Sequence, residues 1–251
     1  MEKYPQKQDN SIVPSAVFLA RSDKCKEERE YLESLVSQAP GKNQKDWIAR
    51  ISSEDEIIHF SSWFEIMLYG WLKQRGDVKI EPEIDGKLPD FSMDLLGRKV
   101  FFEAKVRMDT IYSSKKVNTH NFNGLLPRAF TKFRDPYELK SMLEEKIQQH
   151  KGIFKSGYAY IICIYLRSIW NDQSQVKEAI FGRDFSDAVD IGRDDSGLFA
   201  EKEELSKIVT GFLIFESYPD SEEKRRVLKV HYINNPYAEV QIDPNIVSLL
   251  L

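Results

Sequence analysis

Near the start of the chain, apolar residues recur every three to four positions, a spacing that predicts amphipathic helices. One helix is expected over 26–38, and a short one is expected around Trp47. A third helix is expected to begin at a capping box, in which Ser53 and Glu56 satisfy each other's backbone N–H groups, and to end at Arg75. These helices are predicted to follow a loose polar arm over residues 1–20.

Further along, β-branched and aromatic residues cluster between turn signals, which is typical of strands. The runs expected to form strands are 77–83, 88–96, 99–107, 157–166, 208–215 and 226–233. Asp85-Gly86 and Leu96-Gly97 supply turn residues between the first three runs. Helices are expected over 136–150, opened by Pro136, and over 173–182, whereas 109–135 is expected to be a long polar loop.

These elements follow the order α-β-β-β-α-β, with helices added before it and strands added after it. This order indicates an α/β fold with a mixed β-sheet flanked by helices, an N-terminal helical addition and a C-terminal β addition. Residues 1–52 are interpreted as an arm with short helices, and residues 53–251 as one α/β domain.

Composition excludes several classes of protein. The 251 residues are 41% hydrophobic, which is ample for a core, and carry a net charge of -4. The longest apolar stretch, 158–166, is too short to cross a membrane, and the start shows no secretory signal, so we expect a cytoplasmic protein without a membrane partner. Cys25 and Cys163 are too few for a disulfide framework or a four-ligand zinc site, and Cys163 is expected to be a small core residue.

Charge is distributed unevenly along the chain. The segment 98–116 has six basic and two acidic residues, and 128–155 has seven basic and four acidic residues. The segment 178–204 instead has nine acidic and three basic residues. A basic middle and an acidic later segment are usual for solvated faces, and they bear on function only if chemistry lies in the basic part.

One pair of motifs lies in that part. The second predicted strand opens with Pro89-Asp90, and after a gap of 12 residues the third contains Glu103-Ala104-Lys105. The chain holds six acid-x-Lys triplets, but only this one lies inside an apolar β run, where charges are costly without a partner. If Leu96-Gly97 forms a two-residue turn, Asp90 lies opposite Glu103, and Lys105 shares their face of the sheet.

The combination resembles the PD-(D/E)xK nuclease superfamily, with its restriction-endonuclease-like fold, over about residues 54–166. The resemblance implies a metal-dependent nuclease that hydrolyses phosphodiester bonds, acts on DNA as an endonuclease and forms a homodimer if it cuts both strands. The cofactor would be Mg²⁺, with Mn²⁺ as an alternative. Asp90, Glu103 and the Ala104 carbonyl would hold the metal. Lys105 would position or deprotonate the attacking water, or stabilise the phosphoryl oxygens.

Two further sets of residues follow from the resemblance. Many members of the family carry a metal-binding Glu on the helix before the strands. Glu65 is the only acidic residue between Glu56 and Asp77, so it is the natural match. Basic residues around the site are expected to contact nucleic-acid phosphates: Arg107, Lys115, Lys116, Lys140 and Lys146.

Two alternatives stay open at this point. The chain could be an inactive relative that uses the same sheet to bind nucleic acid or a partner protein. The motif could also be accidental, in which case the chain is a structural α/β domain. The intact set of Asp90, Glu103 and Lys105 favours the enzyme, because a lost activity would no longer hold those charges in an apolar strand.

Overall fold

The centre of the fold is a six-stranded mixed sheet in the order β1-β2-β3-β4-β5-β6. The computed structural model describes residues 26–53, 55–84, 86–108, 136–149, 151, 157–167, 173–182, 197–219 and 226–251. The strands are β1 (Val78–Ile80), β2 (Phe91–Leu95), β3 (Arg98–Met108), β4 (Ala159–Arg167), β5 (Gly211–Pro219) and β6 (Arg226–Asn234). Strands β3, β4 and β5 run parallel, and the other neighbours pair antiparallel. The predicted α/β class and mixed sheet are confirmed.

Helices lie on both faces of this sheet. They are α1 (Lys26–Ser37), α2 (Gly41–Ile51), α3 (Glu56–Lys73), α4 (Pro136–Gln149), α5 (Gln173–Phe181), α6 (Leu198–Glu201), α7 (Glu203–Ser206) and α8 (Pro244–Leu250). The segment from α3 to β4 has the predicted order α-β-β-β-α-β. Within the described ranges, every helix is too short or too polar to span a bilayer.

Two hydrophobic cores sandwich the sheet. The first core joins α1, α2, α3 and α8 to one face, and the second joins α4, α5, α6 and α7 to the other. Strand β4 is buried on both faces, which explains its unbroken apolar sequence. Ile161 and Cys163 point into the first core, whereas Tyr160 and Ile162 point into the second, and all four are fully buried. Cys163 is therefore confirmed as a core residue.

The ends of several elements differ from the prediction. The N-cap of α3 is Asp55 and not Ser53, because the Asp55 side chain accepts hydrogen bonds from the backbone N–H groups of Ile57 and Ile58 at 2.8 and 3.2 Å. Ser53 Oγ instead accepts from the Asp55 backbone N–H. Strand β1 ends early, since Glu81 adopts a positive φ of 46°. Helix α8, begun by the Asp243 cap, was not predicted at all.

The turn between β2 and β3 is the two-residue turn that the sequence suggested. Leu96 and Gly97 have φ values of 49° and 76°, the positive pair that a type I′ turn requires. Leu95 pairs with Arg98 across the turn, and the ladder continues to Phe91 opposite Phe102. The predicted register of this hairpin is confirmed.

Leu96 is a poor residue for its position, because a branched, apolar side chain strains the left-handed conformation and is 62% exposed. We expect Leu96→Asn to raise the free energy of unfolding by about 0.5–1 kcal/mol, since Asn-Gly is the preferred type I′ pair. Urea denaturation measures the change. Leu88→Asn is the matched control, because Leu88 is similarly exposed but is not among the residues with positive φ. An equal gain in both variants would contradict the turn argument.

Candidate functional site

Asp90 lies where the pairing of β2 with β3 ends, one position before Phe91. Its backbone carbonyl accepts a hydrogen bond from the Glu81 N–H at 2.9 Å, on the β1 side. Its carboxylate accepts from the Ala104 N–H on β3 at 2.7 Å, so the side chain takes over as acceptor just beyond the paired backbone. One further step along the register places Asp90 opposite Glu103, as predicted.

Strand β3 carries Glu103 and Lys105 on the face that meets the second core. Phe102 belongs to the first core and Phe101 to the second, so the odd-numbered side chains point toward α4. Glu103 is only 2% exposed, and Lys105 is half-buried. The hairpin therefore brings two carboxylates and one ammonium group together, which is the arrangement that the sequence predicted.

A second ammonium group enters from α4. Lys146 forms an ion pair with Glu103, and its side chain is 20% exposed. Burial alone would lower the pKa of Lys146, but the hydrogen bond and charge of Glu103 outweigh it, so the pKa is raised. Asp90 and Glu65 act in the same direction at longer range. Lys146 is thus part of the carboxylate cluster and not a side chain on an open surface.

The carboxylates repel one another. The pKa of Asp90 lies well above its usual range, first because of burial, then because of Glu103 and Glu65. The Ala104 hydrogen bond and Lys146 offset only part of this rise. The pKa of Lys105 is lowered, mainly by burial and then by the neighbouring ammonium of Lys146. The site therefore combines crowded, buried carboxylates with a lysine whose neutral form is favoured.

Glu65, on α3, is held by α2. Its two carboxylate oxygens accept from the Arg50 guanidinium at 2.7 and 2.6 Å, and Trp47 Nε1 donates to it at 3.2 Å. Its charge is near enough to raise the pKa of Asp90. Glu65 thus lies beside the cluster, as the sequence suggested, but both of its oxygens already have strong donors.

The expected phosphate-contacting residues are placed differently. Arg107 is 7% exposed on β3, and Lys140 is 8% exposed and paired with Glu201, so neither presents its charge on an open surface. Their expected role in contacting phosphates stays a prediction. Lys115 and Lys116 lie outside the described residues.

Sequence reasoning missed several neighbours of the site. Tyr160, on β4, is fully buried, and its pKa is raised first by burial and then by Glu103 and Asp90. A tyrosine inside an apolar strand was the available signal, since its pairing with Phe101 puts it on the face of Glu103. No sequence signal linked Arg50 or Trp47 to Glu65.

In the described part of the chain, no three histidine, cysteine or acidic side chains converge closely enough to form a metal cage by themselves. None of the family models, curated proteins and solved structures compared with this chain matches it. The geometry and charges of the site are therefore the basis on which its chemistry is inferred.

Asp90 should weaken the fold at neutral pH. Because its folded pKa is raised, the folded chain holds the proton more tightly than the unfolded chain. The free energy of unfolding then falls as pH rises from the ordinary aspartate range to the raised value. We expect Asp90→Asn to stabilise the protein at pH 7 by about 0.5–2 kcal/mol, with the gain vanishing below the ordinary aspartate pKa.

Denaturant titrations at pH 7 and at pH 3 measure this difference. Asp94→Asn is the control, because Asp94 is exposed on the same strand and lies opposite Lys99. A variant at position 90 that is less stable than the natural chain at pH 7 would show that the carboxylate is not under electrostatic strain.

Proposed function

We propose that this protein is a metal-dependent nuclease that hydrolyses phosphodiester bonds, with DNA as its substrate. The observation that carries the proposal is the meeting of Asp90, Glu103 and Lys105 on one face of the β2–β3 hairpin. The preference for DNA rests on the resemblance to the PD-(D/E)xK nucleases. The order of elements from α3 to β4 also agrees with that resemblance.

The donor set suits a hard divalent cation. Asp90 and Glu103 offer carboxylate oxygens. Burial, and then the charge of Glu103, raise the pKa of Asp90, so extra positive charge beside it is favourable. A cation already interacts with Glu103 in the form of the Lys146 ammonium. Mg²⁺ binds through one or two carboxylates and keeps several waters, so two carboxylates and a backbone carbonyl are enough to hold it.

In this proposal, Asp90, Glu103 and the Ala104 carbonyl hold Mg²⁺ or Mn²⁺. When bound, the metal supplies Lewis acidity toward a phosphodiester oxygen and the attacking water. Lys105 orients that water and accepts its proton, a role that its lowered pKa favours. A bond forms between the water oxygen and phosphorus, one P–O ester bond breaks, and the departing alkoxide takes up a proton from solvent.

A second candidate is a nuclease-like module that binds nucleic acid or a partner protein without cleaving. It is favoured by the ion pairs that engage the acidic side chains, since Lys146 holds Glu103 and Arg50 holds Glu65. In that case the cluster is a set of structural salt bridges. The two candidates differ in one outcome, which is cleavage.

Cleavage is tested with supercoiled DNA, linear DNA and RNA in the presence of Mg²⁺ or Mn²⁺. We expect cleavage of DNA that chelation abolishes, and a loss of about 100-fold or more in Asp90→Ala and in Lys105→Ala, the range typical when an acid–base or electrostatic group is removed. Gel electrophoresis of the products over time gives the rates.

Asp94→Ala serves as the matched control, because it removes an exposed carboxylate from the same strand. Its rate should equal that of the natural chain. Cleavage that persists in Asp90→Ala would refute the proposed site. Binding to DNA without cleavage would favour the second candidate, and neither binding nor cleavage would favour a structural domain.

A further inference from the structure

Lys146 reaches the carboxylate cluster because of where it lies on α4. Leu143 and Ile147, on the same helix, are fully buried in the second core. Lys146 lies three residues after Leu143 and next to Ile147, so it lies at the edge of the buried stripe of α4. From there its ammonium pairs with Glu103 on β3, which is 43 residues away in the sequence.

The ammonium of Lys146 lies within the field of several acidic side chains. It hydrogen-bonds to Glu103 Oε1, and the charges of Asp90 and Glu65 also act on it. Glu65 is already neutralised by Arg50, so Asp90 and Glu103 are the carboxylates that Lys146 principally balances. With its side chain only 20% exposed, Lys146 meets these charges in an environment that water screens weakly.

This position conflicts with a divalent ion on the same carboxylates. A metal held by Asp90 and Glu103 needs an oxygen of Glu103, and the ammonium of Lys146 lies against one of them. Two positive charges held on one carboxylate repel each other, so each weakens the binding of the other. We propose that Lys146 is a tethered cation that competes with the divalent metal for Glu103, so that metal loading releases the ammonium from the carboxylate.

The proposal rests on the proposed metal site and deepens it. It assigns Lys146 as a positioning residue, since the lysine acts through Glu103. It also explains how crowded acidic side chains can fold before any metal binds. The tethered ammonium acts as a stand-in counter-ion, and its release leaves a positive charge beside the site that could meet a phosphodiester.

The test measures Mn²⁺ binding at fixed salt, by calorimetry or by the electron-spin signal of the free ion. We expect Lys146→Gln to bind Mn²⁺ about tenfold more tightly or better, because a unit charge close to the ion is removed while the glutamine amide can still donate to Glu103. Lys146→Arg keeps the charge and should bind no more tightly than the natural chain.

Lys140→Gln is the matched control, since Lys140 lies on the same helix and pairs with a different acid, Glu201. Its Mn²⁺ affinity should be that of the natural chain. Equal or weaker Mn²⁺ binding in Lys146→Gln, with binding intact in the natural chain, overturns the competition and leaves the proposed nuclease standing. Absence of Mn²⁺ binding in both chains overturns the metal site and the competition together.

A second measurement needs no variant. An activated ester acylates the neutral amine of lysine, so labelling measured by mass spectrometry reports how accessible each side chain is and how readily its ammonium loses a proton. Adding Mn²⁺ should increase labelling of Lys146 several-fold and leave Lys140 unchanged. Unchanged labelling of Lys146 at saturating Mn²⁺ would show that the metal does not displace it, and would refute the inference even if Lys146→Gln failed to fold.

Discussion

The register between β2 and β3 is the constraint on which the candidate site depends. In the observed register Asp90 comes opposite Glu103, and its carboxylate is fixed by the Ala104 N–H. Because side chains alternate between faces, a slip of one residue would send Glu103 and Lys105 into the first core, among fully buried side chains such as Phe64. Burial of two unmatched charges there would be far less favourable than the observed arrangement. The short turn and the hydrophobic pattern therefore agree on one register.

The crowded carboxylates at the site oppose folding, and packing in the two hydrophobic cores offsets that unfavourable free energy. The face of the sheet under α3 is lined with aromatic contacts, such as Trp63 against Tyr165 and Phe64 against Phe215, with ring centroids 4.9 and 5.2 Å apart. Aromatic pairs of this kind stabilise a core beyond the area that they bury. A rigid scaffold holding a locally unfavourable cluster is the arrangement expected where structure serves binding or chemistry.

The sequence predicted the central part of this picture well, for a physical reason. Turn residues and alternating side chains are local signals, so the Leu96-Gly97 turn, the order of elements along the chain and the register that sets Asp90 opposite Glu103 could all be inferred. What it could not supply were contacts between distant elements. From the sequence, Lys146 cannot be told apart from any other helix lysine. The parallel crossover from β3 through α4 to β4 places it against Glu103. The sequence also could not choose the N-cap of α3. Ser53 and Asp55 are both good cap residues, and spacing alone does not show that Asp55 takes the position.

The ion pair between Arg50 and Glu65 limits where the chain can be truncated without changing the site. Helix α2 precedes the segment from α3 to β4 that carries the site, yet the Arg50 guanidinium on α2 neutralises Glu65 beside Asp90. A truncated chain beginning at Ser53 would keep every element from α3 to β4 and lose that neutralisation. Glu65 would then add its full charge to already crowded carboxylates. Helix α2 is thus an electrostatic part of the carboxylate cluster, and grafting the sheet without it would transplant a different cluster.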